Sequence, residues 1–248
     1  VTSLRLPLFP LNSVLFPGLV LPLNVFEARY RAMMRDLAER PEDERHFAVV
    51  AIRDGREVAP TAQGMPDATL PTAEGPAAGF GDDPIQAFHA VGCVADAATI
   101  REKSPGPDAG YEVLATGTTR FRLRSVDASG PYLTAETEEL EEDPGEGAGA
   151  LASGVVRAFR TYQKRLAWAN ERTISSGQDL PADPSVLSYL VAAAAVLDVP
   201  AKQRLLEAPD TADRLGQELT LLRQESALLG KLPSLPAVDL TRQPTSPN

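Results

Sequence analysis

One cysteine and two histidines are all that 248 residues offer of the side chains most used for metal binding and nucleophilic catalysis. Cys93 alone cannot form an intramolecular disulfide, which suits a reducing compartment. His46 and His89 each lie in or beside a β-type segment, and neither belongs to an HExxH pattern. A lone histidine in that setting reads as a structural residue rather than a base, and one cysteine excludes the common Cys-rich zinc sites. There is no GxSxG elbow, no Ser-x-x-Lys pair and no GxxxxGK[ST] phosphate loop. No metal and no cofactor is therefore expected. Gly145, Gly147 and Ala150 formally satisfy a GxGxxG/A pattern, but Glu141, Glu142, Asp143 and Glu146 around them would repel a pyrophosphate.

Basic charge is also scarce. The net charge is −10 and the isoelectric point about 4.8. Residues 1–140 carry 13 basic against 20 acidic side chains, and residues 141–248 carry 11 against 14. Neither half hides a basic surface, so a nucleic acid is not the expected partner. Long apolar runs are missing too. The most apolar stretch, Val186 to Val199, is shorter than a membrane span. No basic leader followed by an apolar core opens the sequence. The expectation is a cytoplasmic protein that engages no membrane.

What is present begins with prolines. Pro7, Pro10, Pro17 and Pro22 cut residues 4–26 into short apolar runs, predicting short strands and bends with prolines at edges. Glu27 to Arg40 lacks glycine and proline, and Tyr30, Met33, Met34 and Leu37 recur at helical spacing. His46 to Arg53 is β-branched and apolar, hence a strand. Residues 60–84 hold five prolines and four glycines, and read as a long flexible surface loop. Strands are predicted at Ala90–Asp96, Tyr111–Thr116, Thr119–Val126 and Tyr132–Leu140. In the third, Arg120, Arg122 and Arg124 alternate with Phe121 and Leu123 and read as a solvated face.

The segment 141–150, EEDPGEGAGA, reads as a flexible acidic linker. Beyond it the periodicity turns helical. Val155, Phe159, Tyr162 and Leu166 form one apolar stripe. Asp183-Pro184 is a helix start, and the helix it opens, Ser185–Leu197, is apolar nearly all round and is expected to be the buried centre of this part. Pro200 ends or restarts it. A last helix runs from about Thr211 to Leu229, capped by Asp210 or Thr211. The expected division is a β-rich domain 1–140, a linker 141–150, a helical domain 151–231 and a disordered tail 232–248.

Trp168, the single tryptophan, falls about 200° around its helix from the apolar stripe, beside Lys164 and Arg165. An aromatic on a basic face can anchor a partner; the plainer reading packs it against the β-rich domain. Candidate binding residues are therefore Trp168, Lys164 and Arg165, with Arg120 and Arg122 on the strand face. Phe16, Phe26 and Tyr30 read as core.

The residues Leu6-Pro7-Leu8-Phe9-Pro10-Leu11, Val14-Leu15-Phe16-Pro17-Gly18, Leu21-Pro22-Leu23 and Phe26-Glu27-x-Arg29-Tyr30 resemble the start of the Lon substrate-binding family. The similarity continues at Gly92-x-Val94-Ala95, Gly117-x-x-Arg120-Phe121-Arg122 and Pro131-Tyr132-Leu133-x-Ala135-Glu136. In the helical half it returns at Leu180-Pro181-x-Asp183-Pro184 and Lys202-Gln203-x-Leu205-Leu206-Glu207. The resemblance implies an α+β fold: a six-stranded pseudo-β-barrel of the PUA-like, Lon N-terminal type with one helix, then an α-helical bundle. It also implies a stand-alone, non-catalytic module, without the AAA+ motor and Ser-Lys protease of full-length Lon. Such a module would bind unfolded or exposed polypeptide segments or dock to a separate ATP-dependent protease. Two other readings stand beside it: a small-molecule-binding module with the 60–84 loop as lid, and a hydrolase whose site no motif betrays.

Overall fold

The computed structural model describes residues 3–53, 75–103, 110–169 and 179–230. Most of the loop expected at 60–84 and the whole of the expected tail lie outside them.

Six strands form one sheet: β1 (Ser3–Leu11), β2 (Val20–Val25), β3 (His46–Ala51), β4 (Val91–Glu102), β5 (Tyr111–Asp127) and β6 (Thr134–Leu140). The first half of β1 pairs antiparallel with β6 (Leu6 opposite Ala135), and its second half pairs parallel with β3 (Phe9 opposite Val49). β3, β4 and β5 continue antiparallel, and the far half of β5 returns to β6. Hydrogen bonding therefore closes a ring of β1, β3, β4, β5 and β6, with β2 appended to the near half of β5. This is a pseudo-barrel and not a true barrel.

Both faces of the ring are covered, which is why β3 reads as a continuous apolar run rather than an alternating one. On one side α1 (Ala28–Ala38) lays Tyr30, Met33, Met34 and Leu37 against Phe9 and Phe47. On the other, Leu8, Phe80, Phe88, Phe121 and Leu133 form a second cluster. Successive residues Leu8 and Phe9 thus serve opposite faces, as the two-residue strand period requires.

Two strands expected at Tyr111–Thr116 and Thr119–Val126 are one strand, β5. Gly117 between them is not a turn residue. It lets the segment between β1 and β2 approach β5, since a Cβ there would stand 2.4 Å from the Phe16 carbonyl oxygen. Gly92 likewise permits a close approach, with Val49 O at 2.3 Å from a hypothetical Cβ.

Four helices follow: α2 (Ala148–Ala169), α3 (Pro184–Ala194), α4 (Val199–Glu207) and α5 (Thr211–Leu229). Three open on an aspartate whose carboxylate accepts backbone N–H groups of the first turn: Asp183 from Ser185 and Val186, Asp198 from Ala201, and Asp210 from Asp213. Pro200 thus starts α4. The expected buried centre at Ser185–Leu197 is corrected in part: α3 ends at Ala194, and Val186 and Val196 are exposed. The core of this part is instead the long α2–α5 pair, where Val155, Phe159 and Tyr162 meet Leu215 and Leu222, with α3 adding Leu187 and Val191.

The segment 141–150 does not behave as the free linker its composition suggests. Thr211 N–H and Ala212 N–H donate to the carbonyls of Asp143 and Pro144, at 2.9 and 3.1 Å. Ala148 is already buried as α2 begins. Backbone donors at the start of α5 need acceptors, and the acidic segment supplies them. Phe26 is corrected as well: it is 63% exposed, whereas Phe16 and Tyr30 are buried as expected.

Candidate functional site: the seam between sheet and helices

α3 and α4 lie against the ring over an apolar seam in which Phe16 and Val91 meet Tyr189, Ala192, Leu205 and Leu206. A polar cluster locks this seam, and Glu142 is its centre. Its carboxylate accepts from Thr211 Oγ1 at 2.9 Å, from Arg214 Nη1 at 3.0 Å and from the Tyr189 hydroxyl. Arg120 Nε stands 3.3 Å from its other oxygen. Burial works against ionisation of Glu142, but the Tyr189 hydrogen bond and the Arg214 and Arg120 charges outweigh it and hold the carboxyl below its ordinary range. The same burial, opposed by Arg214 and assisted by Glu142, drives the Tyr189 hydroxyl far up.

Arg214 is fully buried. Besides Glu142 it donates to the Leu205 carbonyl and the Ser188 hydroxyl, each at 3.0 Å, and its guanidinium lies 4.0 Å over the Tyr189 ring. Arg120 reaches from β5 into the helices, donating to the carbonyls of Leu206 and Ala208 at 2.9 and 2.6 Å. Those carbonyls are orphans of the end of α4, so one guanidinium caps a helix and bridges to a carboxylate. Gln203 adds a contact from α4 to the Val91 carbonyl at 2.9 Å.

Beside this lock runs an open groove of about 260 Å³, lined from the ring by Pro17, Gly18, Thr118 and Thr119, from β6 and the following segment by Glu139 to Glu142, and from α3 by Ser185, Val186 and Tyr189. Its floor is largely apolar, and Val186 is 52% exposed there. A second cleft, also about 260 Å³, lies between the end of β1, β2 and the start of α1. Phe80 forms one of its walls. Arg29, hydrogen-bonded to the Pro76 and Ala78 carbonyls at 3.1 and 2.8 Å, pins this stretch to α1. The last residues of the expected 60–84 loop are thus packed; residues 54–74 fall outside the described part.

The sequence-derived candidates are dispersed. Arg120 is the exception to the solvated strand face: it is 3% exposed, and its Nη1 donates to two carbonyls inside the molecule. Arg122 is exposed, and Arg124 pairs with Glu138. Trp168 is 68% exposed and does not pack on the ring. Lys164 is exposed beside it, whereas Arg165 donates to the Ser226 carbonyl and so belongs to the α2–α5 contact. Sequence reading missed Glu142, Tyr189, Ser188 and Arg214. No local pattern flags them, because each partner comes from a distant segment.

His46 faces Asp96 at 3.9 Å, and His89 faces Glu207 at 4.0 Å. Cys93 is 1% exposed, and burial pushes its thiol up to about 12, so it carries no thiolate at neutral pH. Among the described residues no cluster of His, Cys, Asp and Glu has the form of a metal site, and no helix is long and apolar enough to cross a membrane.

A strand ring carrying a helical unit across a locked seam, with open grooves at its sides, has the form of a binding domain. Residues 5–224 match the ATP-dependent protease La (LON) substrate-binding domain, and the chain belongs to that family. It is 32% identical to Lon protease 1 of Thermus thermophilus over 149 residues, 58% of this chain and 18% of that protein. It is 29% identical to Lon protease 2 of Syntrophobacter fumaroxidans over 213 residues, 84% of this chain and 23% of that protein. The chain thus spans about a quarter or less of the length of these relatives. Two solved structures share the fold. One is the N-terminal domain of Mycobacterium avium complex Lon protease, with TM-score 0.57, 17% identity, and 90% of this chain and 98% of that one covered. The other is a Lon N-terminal domain protein from Xanthomonas campestris, with TM-score 0.52, 22% identity, and 94% and 100% covered.

Proposed function

We propose that this protein is a non-catalytic polypeptide-binding module that holds exposed segments of other proteins in the groove beside Val186, for presentation to an ATP-dependent protease. The observation that carries this reading is the groove itself. It is open and largely apolar, and its two walls come from different parts of the fold fixed to each other by Glu142, Arg120 and Arg214. A rigid apolar groove suits extended chain, since little ordering of the receptor opposes binding. Family membership supports the same reading. The test is fluorescence anisotropy with a labelled, permanently denatured model protein. Wild type is expected to bind, and Val186→Lys to bind about tenfold more weakly, as loss of an interface anchor implies. Equal binding by the two would remove the groove from the proposal, and no binding by either would remove the function.

A second reading, a small-molecule module, is favoured by the cleft at Phe9, Tyr30 and Phe80, whose aromatic walls and buried Arg29 suit a compact ligand. A thermal-shift screen against metabolites tests it, because a ligand bound only to the native state raises the melting temperature.

A further inference from the structure

The rim of the groove has a sign. Glu139 and Glu141 are exposed along one wall, and among the described residues neither side chain has an ion-pair or hydrogen-bond partner. Among the described residues, the one basic side chain lining the groove is Arg120, whose guanidinium is buried against Glu142 and two α4 carbonyls. Among them, no mobile cation lining the groove offsets the two free carboxylates. The floor between them and α3 is apolar, set by Pro17, Leu140 and the exposed Val186.

Resting on the polypeptide-binding reading above, we propose that this groove selects chain segments in which an apolar side chain is flanked by lysine or arginine. The apolar side chain covers Val186 and Leu140, removing apolar surface from water. The flanking cations meet Glu139 and Glu141, which lose no existing partner in doing so. An acidic segment meets repulsion from the same carboxylates and from a chain of net charge −10. Rim charges of this kind act over about 8 Å in physiological salt, so they discriminate between sequences and speed encounter more than they tighten the apolar contact.

The test uses the full chain and three short fluorescein-labelled peptides with one central leucine-rich core, flanked by arginines, by glutamines or by glutamates. The denatured model protein serves as a parallel ligand. Expected is binding in the order arginine, glutamine, glutamate, with about a tenfold step from first to second that shrinks as salt is raised. In the double variant Glu139→Gln, Glu141→Gln that step collapses, so that the arginine and glutamine peptides bind alike. Both positions are exposed, and circular dichroism checks the fold. Equal affinity for the arginine and glutamine peptides overturns the charge selection and leaves the polypeptide-binding reading standing. If the denatured protein binds but none of the peptides does, the groove's preference is overturned. If nothing binds, both readings fall together.

Discussion

Arg214 and Glu142 meet at 3.0 Å across the seam, although 72 residues separate them in the chain. The guanidinium is fully buried, whereas 34% of the carboxylate side chain is exposed. Removing a buried partner leaves unmatched charge and unmade hydrogen bonds, so Arg214→Leu is expected to cost about 3 kcal/mol. Urea unfolding of the two proteins measures it. A loss below about 1 kcal/mol would mean that the seam does not depend on this pair.

The same guanidinium faces a second carboxyl, one turn along α5, with the opposite outcome. Glu218 is 2% exposed, neither of its oxygens has a hydrogen-bond partner, and burial drives its pKa well above 4.5 in spite of Arg214. Glu142 has several donors that favour its charged form; Glu218 has none, and burial disfavours its charged form. The pH dependences therefore oppose each other. Glu142, with its pKa lowered on folding, contributes stability that is present above 4.5 and lost as pH falls through the lowered value. Glu218, with its pKa raised, binds more protons folded than unfolded, so stability declines as pH rises from 4.5 towards the raised value. Glu218→Leu is expected to be more stable than wild type at pH 7, by about 1–3 kcal/mol, and Glu218→Gln to flatten the decline. Urea midpoints across pH decide this. A wild-type decline that persists unchanged in Glu218→Gln would assign it to another group.

Much of the fold was legible because local physics decides it. The α1 stripe, the double-sided apolar run of β3 and the aspartate caps of α3 and α5 each follow from a few neighbouring residues. The seam was not legible. Alternation along β5 shows that Arg120 and Arg122 share a face, but not that the end of α4, 86 residues on, covers only the first of them. Composition marks residues 141–150 as solvated, yet a carboxylate offered several donors is drawn in. Two strands are expected where β5 is one, because sequence does not distinguish a glycine that interrupts a strand from one needed for close approach.

That distinction has a measurable consequence. Gly92→Ala would place a Cβ 2.3 Å from Val49 O and 2.5 Å from the Phe121 ring, and is expected to destabilise by about 1–3 kcal/mol. Gly216, inside α5, has nothing within 4 Å of its hypothetical Cβ. Gly216→Ala is expected to stabilise by about 1 kcal/mol, because alanine loses less backbone entropy in a helix. Thermal unfolding of the two variants checks both signs, and a destabilising Gly216→Ala would indicate that α5 needs the glycine for a contact at this position.

Trp168 separates the groove from the helix-face alternative. It is the single tryptophan, 68% exposed, and does not line the groove. Its emission is therefore that of a solvated indole, and Trp168→Ala is expected to change stability by no more than about 0.5 kcal/mol. Binding at the groove leaves the indole in water, so a saturating unlabelled peptide is expected to leave the emission maximum and acrylamide quenching unchanged. A blue shift with loss of quenching would instead place the bound chain over Trp168 and Lys164. In that case Val186→Lys would leave affinity intact while Trp168→Ala abolished it, so the emission and the two variants together locate the binding surface.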